Sequence, residues 1–304
     1  MTDRMNVYRF SFLAIAWLLS PILLKAQPAL VTSLFSQQNL KLIASDFGFT
    51  EGCSVDKNGD VFFTDQPNDK IWKYSLDGKL SVFLDHSGRA NGTYFDKKGN
   101  LITCSDEHGQ LWSISPSGKV KVILNSPAGK QFNGPNDIWI HPNGGMYFTD
   151  PYYQRNYWKR TAPDLKTEDV YYLSKGNSEP KMVASGMVKP NGIVGTPDGR
   201  YLYVADNKAR KTYRFHIEKN GDLTDKQLII DRGSDGMTLD EQGNLYLTGE
   251  GGVFIYSKEG KLLDQIRIAG NPTNVCFFGK DRKQLFITSR QAVYVLPMGI
   301  KGIE

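Results

Sequence analysis

Cysteine is scarce in this sequence, and no segment keeps a helical period for long. The 304 residues contain three cysteines, Cys53, Cys104 and Cys276, whose odd number and wide spacing argue against a disulfide framework. The lack of helical periodicity excludes an alternation of strands and helices. The net charge of +5 is too weak and too scattered to indicate a nucleic-acid partner. With 40% hydrophobic and 23% charged residues, the chain has the composition of a globular protein.

The start of the chain has the pattern of a secretory signal. Arg4 and Arg9 lead an apolar run, Phe10–Leu24, and Ala26 is a small residue suited to cleavage. The run is shorter than the roughly 20 apolar residues that a membrane-spanning helix needs. We therefore predict a cleaved signal peptide over residues 1–26, export to the periplasm or the extracellular space, and no membrane contact after cleavage. A retained membrane anchor is the alternative.

The rest of the chain repeats one hairpin pattern six times. Each copy has a polar head, a short apolar strand, a polar turn rich in Gly and a second apolar strand, as in T-E-G-C-S-V-D-K-N-G-D-V-F-F-T-D from residue 50. The heads are spaced by 40, 45, 55, 44 and 39 residues, with a second strand pair between hairpins. Four strands in roughly 40 to 50 residues is the period of a propeller blade. The six heads are Glu51, Asn91, Asn136, Asn191, Asp235 and Asn274.

The last repeat lacks its outermost strand. In the other five repeats we assign that strand to Leu80–Leu84, Val120–Leu124, Pro180–Ala184, Gln227–Ile230 and Gln265–Ile268. We predict that Leu40–Ala44 completes the sixth blade by pairing with Val293–Leu296, because an open blade would expose a long unpaired edge. The prediction is therefore an all-β six-bladed propeller with four antiparallel strands per blade, forming a single domain over residues 27–304.

The six heads converge in such a ring. The innermost strand of each blade lines the central channel, and all six run in the same direction, so their first residues meet at one mouth. Two carboxylates among amides are costly to leave unpaired there, and a divalent cation would relieve that cost. Ligands that are all oxygen favour Ca²⁺ or Mg²⁺ over Zn²⁺. For any single head, simple turn capping is the alternative, and spacing alone does not exclude Asn91 or Asn274 as ligands.

Several motifs together resemble the gluconolactonase and regucalcin family of six-bladed propellers. The resemblance extends in register over about residues 40–298. The motifs are E-G-C-S-V-D, S-G-R-A-N-G-T-Y-F-D, P-N-D-I-W-I-H-P-N-G-G-M-Y-F-T-D-P, K-P-N-G-I-V-G-T-P-D-G-R-Y-L-Y-V-A-D and S-D-G-M-T-L-D. Cys53 stands where the family commonly has Pro, which we expect to leave the neighbouring ligand intact.

The resemblance implies a divalent metal at the channel mouth and a hydrolase that opens a sugar lactone such as gluconolactone. Position by position, the implied metal ligands are Glu51, Asn136, Asn191 and Asp235. Ca²⁺ is the expected metal, with Mg²⁺, Mn²⁺ or Zn²⁺ as alternatives. The family analogy also suggests Asp235 as the general base, a ligand-only role being the alternative. Related hydrolysis of aryl esters or organophosphates, or ligand binding without catalysis, are the rival functions.

Six residues are predicted to contact the substrate, and no obligate protein partner is indicated. Arg89 is one of several basic residues before the heads, where it could attract a polyhydroxy acid, although solvated surface charge is the alternative. Tyr152 lies in the longest loop, whose aromatic side chains could cover the pocket or pack in the core. No serine in a nucleophile-elbow context accompanies His108, so no catalytic triad is expected. The predicted substrate contacts are Arg89, Asn91, His108, Asn136, Tyr152 and Asn274.

Overall fold

The computed structural model describes residues 1–2, 33–127 and 129–303. The chain divides into two compact units, Met1–Thr32 and Ser33–Glu304, and only two residues of the first unit are described. The predicted signal peptide over residues 1–26 therefore lies almost entirely outside the described residues, and both it and export stay predictions. Within the described ranges, no helix is long and apolar enough to cross a membrane.

The second unit is built from short strands joined by tight turns. Its described residues also form two single-turn 3₁₀ helices, Gln37–Asn39 and Gln66–Asn68. The strands in chain order are β1 (Lys41–Ala44), β2 (Thr50–Val55), β3 (Val61–Asp65), β4 (Lys70–Tyr74), β5 (Leu80–Asp85), β6 (Ala90–Phe95), β7 (Leu101–Ser105), β8 (Gln110–Ile114), β9 (Val120–Leu124), β10 (Ile138–Ile140), β11 (Met146–Asp150), β12 (Glu168–Leu173), β13 (Lys181–Met187), β14 (Pro190–Gly195), β15 (Tyr201–Asp206), β16 (Lys211–Ile217), β17 (Leu223–Ile230), β18 (Met237–Leu239), β19 (Leu245–Gly249), β20 (Gly252–Tyr256), β21 (Leu262–Arg267), β22 (Asn274–Phe278), β23 (Gln284–Ser289) and β24 (Ala292–Pro297).

These strands form six antiparallel sheets of four strands each, so the predicted six-bladed propeller is confirmed. Blades 1 to 5 consist of consecutive strands: β2–β5, β6–β9, β10–β13, β14–β17 and β18–β21. Blade 6 has the order β1-β24-β23-β22, so its outermost strand comes from the N-terminal side of the chain. The predicted outer strands are all present, and Val120–Leu124 has the predicted bounds.

The ring closes as the sequence predicts. Strand β1 pairs antiparallel with β24, with Lys41 opposite Val295 and Leu42 opposite Tyr294. Blades 1 and 6 also share an aromatic core, in which the ring centres of Phe63 and Phe286 lie 5.3 Å apart. Segments that are far apart in sequence are thus joined by backbone pairing and by side-chain packing, and β1 covers the edge of β24.

The turns at the far end of the inner hairpins use aspartate as a local acceptor. The Asp56 carboxylate accepts hydrogen bonds from the backbone N–H groups of Asn58 and Asp60, at 2.8 and 3.0 Å. Asp96 and Asp240 accept from their own turns in the same way. Aspartate stabilises such turns because its side chain replaces a missing backbone acceptor. The polar heads lie at the opposite end of the inner strands from these turns.

Candidate active site

Four of the six polar heads are followed directly by glycine, at positions 52, 92, 192 and 236. A Cβ atom built on Gly52 would lie 2.0 Å from the carbonyl oxygen of Asn91 in the next blade. One built on Gly192 would lie 2.8 Å from the carbonyl oxygen of Asp235. The missing side chains let neighbouring inner strands approach at the channel mouth, because backbone can contact backbone directly. The heads are brought together by this close approach.

Replacing Gly52 by alanine tests that packing. Gly52 has a φ of +47°, so alanine would meet left-handed backbone strain as well as the Asn91 carbonyl. We expect Gly52→Ala to lower the free energy of unfolding by more than about 3 kcal/mol, because a steric clash adds to a backbone penalty of about 1–2 kcal/mol. Gly99→Ala is the matched control, since Gly99 has a φ of +83° and its Cβ would meet nothing within 4 Å. Equal losses in urea unfolding would contradict the close-approach explanation.

Glu51 and Asp235 form a carboxyl pair at the mouth. Glu51 is buried, Asp235 is partly exposed, and the two carboxyl groups are close enough to shift each other's pKa. Burial raises the pKa of Glu51 well above its usual range, and the negative charges of Asp235 and Asp137 raise it further. Burial also raises the pKa of Asp235 to about 6, although the hydrogen bond from Asn191 and the positive charge of Arg155 both lower it. Two carboxyl groups in contact resist double ionisation unless a cation joins them.

Asn191 links Asp235 to the loop above it. Its Nδ2 donates to Asp235 Oδ1 at 2.6 Å and to the hydroxyl oxygen of Tyr153 at 3.2 Å. Both bonds use the amide nitrogen, so the carbonyl oxygen is the end of the side chain that a cation could bind. Asn136 is buried at the same end of the channel, where its backbone carbonyl accepts from the N–H of Gly92 at 2.6 Å.

Asn91 and Asn274, the remaining heads, lie in the channel wall. The backbone carbonyl of Asn91 accepts from the Thr64 hydroxyl at 3.0 Å. Asn274 Oδ1 accepts from the backbone N–H of Val275 at 2.8 Å and lies 3.8 Å from Cys53 Sγ. All three cysteines are buried free thiols, as their odd number and wide spacing predict. The engaged oxygen of Asn274 makes it a weaker cation ligand than Asn191.

Three predicted substrate contacts are occupied by protein neighbours. The Arg89 guanidinium lies 4.4 Å above the Tyr157 ring and donates to the Pro67 carbonyl at 2.7 Å. His108 is exposed and stacks on Trp112 with ring centres 5.6 Å apart, and none of the six heads is among its contacts in the described part of the chain. Tyr152 hydrogen-bonds Gln154 through its hydroxyl, and Arg160 stacks on its ring. In this loop it is Tyr153, rather than Tyr152, that contacts a head residue.

Residues 151–167 form the blade 3 loop, which connects β11 and β12 and is fastened to blade 2. Asp106, after β7, is the buried anchor: it accepts a hydrogen bond from the Tyr157 hydroxyl and forms an ion pair with Arg155 at 3.3 Å. Trp158 Nε1 donates to the Asp106 carbonyl at 3.3 Å. Sequence reasoning missed Asp106 and Arg155. Their only signal was a carboxylate directly after an apolar strand and an arginine among aromatic residues.

Asp137 is a second buried carboxyl that the sequence reasoning missed. It follows Asn136, at the position where four other heads have glycine, and it accepts from the N–H groups of Ile138 at 2.9 Å and Ile193 at 3.2 Å. Burial raises its pKa to about 7. It lines a small cavity of about 40 Å³ in the channel, together with Met237 and Ile303.

The predicted ligand set fits a hard divalent cation. It supplies two carboxylates that repel each other when both are ionised, and two amide oxygens, with no nitrogen or sulfur donor. In the described ranges, no group of three or more His, Cys, Asp or Glu residues could hold a metal ion. The predicted ligand set contains two such residues, Glu51 and Asp235, and depends on the amides of Asn136 and Asn191 for the rest.

The family of the protein follows from comparison with known sequences. Residues 49–291 match the family model described as "SMP-30/Gluconolactonase/LRE-like region". The chain belongs to this family. The predicted resemblance is therefore confirmed, and the matched region extends from one residue before β2 to one residue before β24, covering the heads of all six blades.

Comparison with one known sequence and two solved structures shows how far the similarity extends. A gluconolactonase from Zymomonas mobilis is 29% identical over 88% of this chain and 84% of its own length. The solved structure of a gluconolactonase from Xanthomonas campestris has a TM-score of 0.80 at 25% identity, covering 85% of this chain and 89% of that one. A calcium-binding regucalcin structure from Agrobacterium tumefaciens has a TM-score of 0.74 at 20% identity over 88% and 95% of the two chains, and it supports the fold alone.

Proposed function

We propose that the protein is a divalent-metal-dependent lactonase that opens a sugar lactone of the gluconolactone type. The observation that carries the proposal is the contact of Glu51 with Asp235, fastened by Asn191, at the mouth of the channel. Similarity to the Zymomonas mobilis gluconolactonase over most of both chains supports the substrate class. The fit of the donor set, which is all oxygen and includes two amides, supports Ca²⁺ as the metal.

Glu51, Asn136, Asn191 and Asp235 would hold the cation. When bound, it would act as a Lewis acid toward the carbonyl oxygen of the lactone. The chain supplies the proton acceptor: the Asp235 carboxylate takes a proton from a water molecule as the water oxygen attacks the carbonyl carbon. The ring C–O bond then breaks, the leaving ring oxygen takes up a proton, and the product is the open hydroxy acid.

Asn191 and Tyr153 orient these groups. The short hydrogen bond from Asn191 fixes Asp235 in one orientation, and the Tyr153 hydroxyl holds Asn191 from the loop side. Burial and the nearby Asp235 raise the pKa of Tyr153 to about 12, so the phenol stays neutral at working pH. We place the substrate between this tyrosine and the heads, where Asn91, Asn136 and Asn274 are in reach of its hydroxyls.

Removal and return of metal tests the proposal directly. Protein stripped with a chelator should lose at least about 90% of its activity on D-glucono-δ-lactone, and Ca²⁺ should restore it, because both carboxylates are otherwise left without a cation. Mg²⁺, Mn²⁺ and Zn²⁺ returned singly would rank the metals, and calorimetry would measure binding independently of activity. Full activity after stripping would refute metal dependence. Metal binding without hydrolysis of any aldonolactone would refute the substrate class, and phenyl acetate and an organophosphate would then test the rival hydrolases.

A further inference from the structure

Arg155 reaches toward the mouth of the channel from the blade 3 loop. Its guanidinium lies 5.5 Å from the ring centre of Tyr153, whose hydroxyl contacts Asn191 at 3.2 Å, and Asn191 contacts Asp235 at 2.6 Å. The positive charge of Arg155 lowers the pKa of both Glu51 and Asp235, although its ion-pair partner is Asp106. Arg155 is therefore connected to Asp235 through contacts with Tyr153 and Asn191.

Arg155 is anchored by its ion pair with Asp106, and in the described part of the chain its buried Nε makes no hydrogen bond. Asp106, 2% exposed, faces the Nε edge of the guanidinium, while 21% of the Arg155 side chain stays accessible. Among the described residues, the two Nη groups of Arg155 donate no hydrogen bond to the protein. The Tyr157 hydroxyl occupies a further lone pair of Asp106, so the carboxylate cannot easily turn away. An oriented guanidinium with spare donors is suited to bind oxygen atoms in pairs.

The charges at the mouth favour a neutral ligand. The Glu51 and Asp235 carboxylates would balance a divalent cation, and Asp106 balances Arg155. Asp137 and Arg290, which also act on the carboxyl pair, are of opposite sign. An anionic substrate would disturb this balance, whereas a polyhydroxylated lactone would accept hydrogen bonds without bringing charge. Charge-assisted hydrogen bonds to hydroxyl oxygens are among the stronger polar contacts, so they are suited to confer selectivity.

We propose that Arg155 binds the ring hydroxyls of a neutral sugar lactone and so selects hydroxylated lactones over unsubstituted ones. This inference rests on the proposed lactonase function. It assigns to Arg155 a specificity role in addition to the effect of its charge on Glu51 and Asp235. Asp106 and Tyr157 are positioning residues in this account, because they act on the substrate only through Arg155.

The test compares two six-membered lactones that differ in their hydroxyl groups, D-glucono-δ-lactone and δ-valerolactone. In Arg155→Met, kcat/KM for gluconolactone should fall by about 10- to 100-fold, mainly through a higher KM, because about two charge-assisted hydrogen bonds are lost. Loss of the Arg155 charge near Glu51 and Asp235 should affect both substrates alike. For δ-valerolactone, kcat/KM should therefore fall about 10-fold less than for gluconolactone, since that ring offers no hydroxyl to Arg155. Arg155→Lys, which keeps the charge without the fork, should give an intermediate loss on gluconolactone.

Arg160→Met is the matched control from the same loop. Arg160 stacks on Trp158 at 3.9 Å and donates to the Phe132 carbonyl at 2.8 Å, so its loss should loosen the loop and lower both activities alike. An equal fall in kcat/KM on both substrates in Arg155→Met would overturn the inference. If that variant fails to fold, the fall on gluconolactone relative to that on δ-valerolactone in Arg155→Lys decides instead. Wild-type hydrolysis of δ-valerolactone but not gluconolactone would overturn it and leave the hydrolase assignment standing. Hydrolysis of neither would refute the proposed function, and this inference with it.

Discussion

Asp235→Asn is expected to lower the rate of lactone hydrolysis by about 100-fold or more at saturating divalent cation. Asparagine keeps an oxygen of similar shape for the cation but removes the proton acceptor and one negative charge. The cation should still bind, more weakly, so calorimetry must confirm saturation before kcat is measured. If the variant, saturated with cation, hydrolysed lactone at the wild-type rate, Asp235 would be a ligand alone and the base would lie elsewhere.

Glu51→Gln separates cation binding from proton transfer. Glu51 is predicted to bind the cation without taking part in proton transfer. Its variant should therefore show mainly a lower metal affinity, and added Ca²⁺ should restore much of its activity. Asp231→Asn is the control for charge, because Asp231 is exposed, lies four residues before Asp235 and should leave the rate unchanged. A deficit in Glu51→Gln that no cation concentration relieves would contradict this division of roles.

The fold was predictable because the sequence repeats one hairpin pattern six times. Alternating strands, Gly-rich turns and six polar heads recur at a blade-sized period, so the strands of all blades could be located without reference to side-chain contacts. The completion of blade 6 by β1 followed from the expectation that β24 should not be left as an unpaired edge. The structure added the reason for the glycine that follows four of the heads, which is the close approach of neighbouring inner strands.

The positions of the candidate site residues were predictable only where those residues lie on or next to regular strands. Glu51, Asn191 and Asp235 meet because each opens or precedes an inner strand, whose direction the sequence pattern reveals. The blade 3 loop has no such period, so sequence could not decide that Tyr153 rather than Tyr152 faces Asn191. Nor could it show that Asp106 would fasten Arg155 from another blade. Contacts between blades through irregular loops depend on geometry that no local pattern records.

Removing the closing strand should prevent folding of the whole propeller. A chain that begins at Asp46 lacks β1, so Val293, Tyr294 and Val295 lose their backbone partners and blade 6 keeps an exposed edge. We expect no cooperative thermal transition from this variant, whereas a chain that begins at Ser33 keeps β1 and provides the reference. Circular dichroism and differential scanning calorimetry measure the difference. A shortened chain that unfolds at the reference temperature would show that blade 6 is stable with three strands.

Two point substitutions test the same closure without deleting chain. Ile43 packs against the core shared by blades 1 and 6, whereas its neighbour Leu42 is 50% exposed. Ile43→Asp buries a charge against that core, so it should lower the free energy of unfolding by about 3 kcal/mol or more. Leu42→Asp introduces the same charge on the outer face of the same strand and should cost less than about 1 kcal/mol. Similar losses from both would mean that β1 does not present one face to the core, and the closure of the ring would then have to depend on backbone pairing with β24 alone.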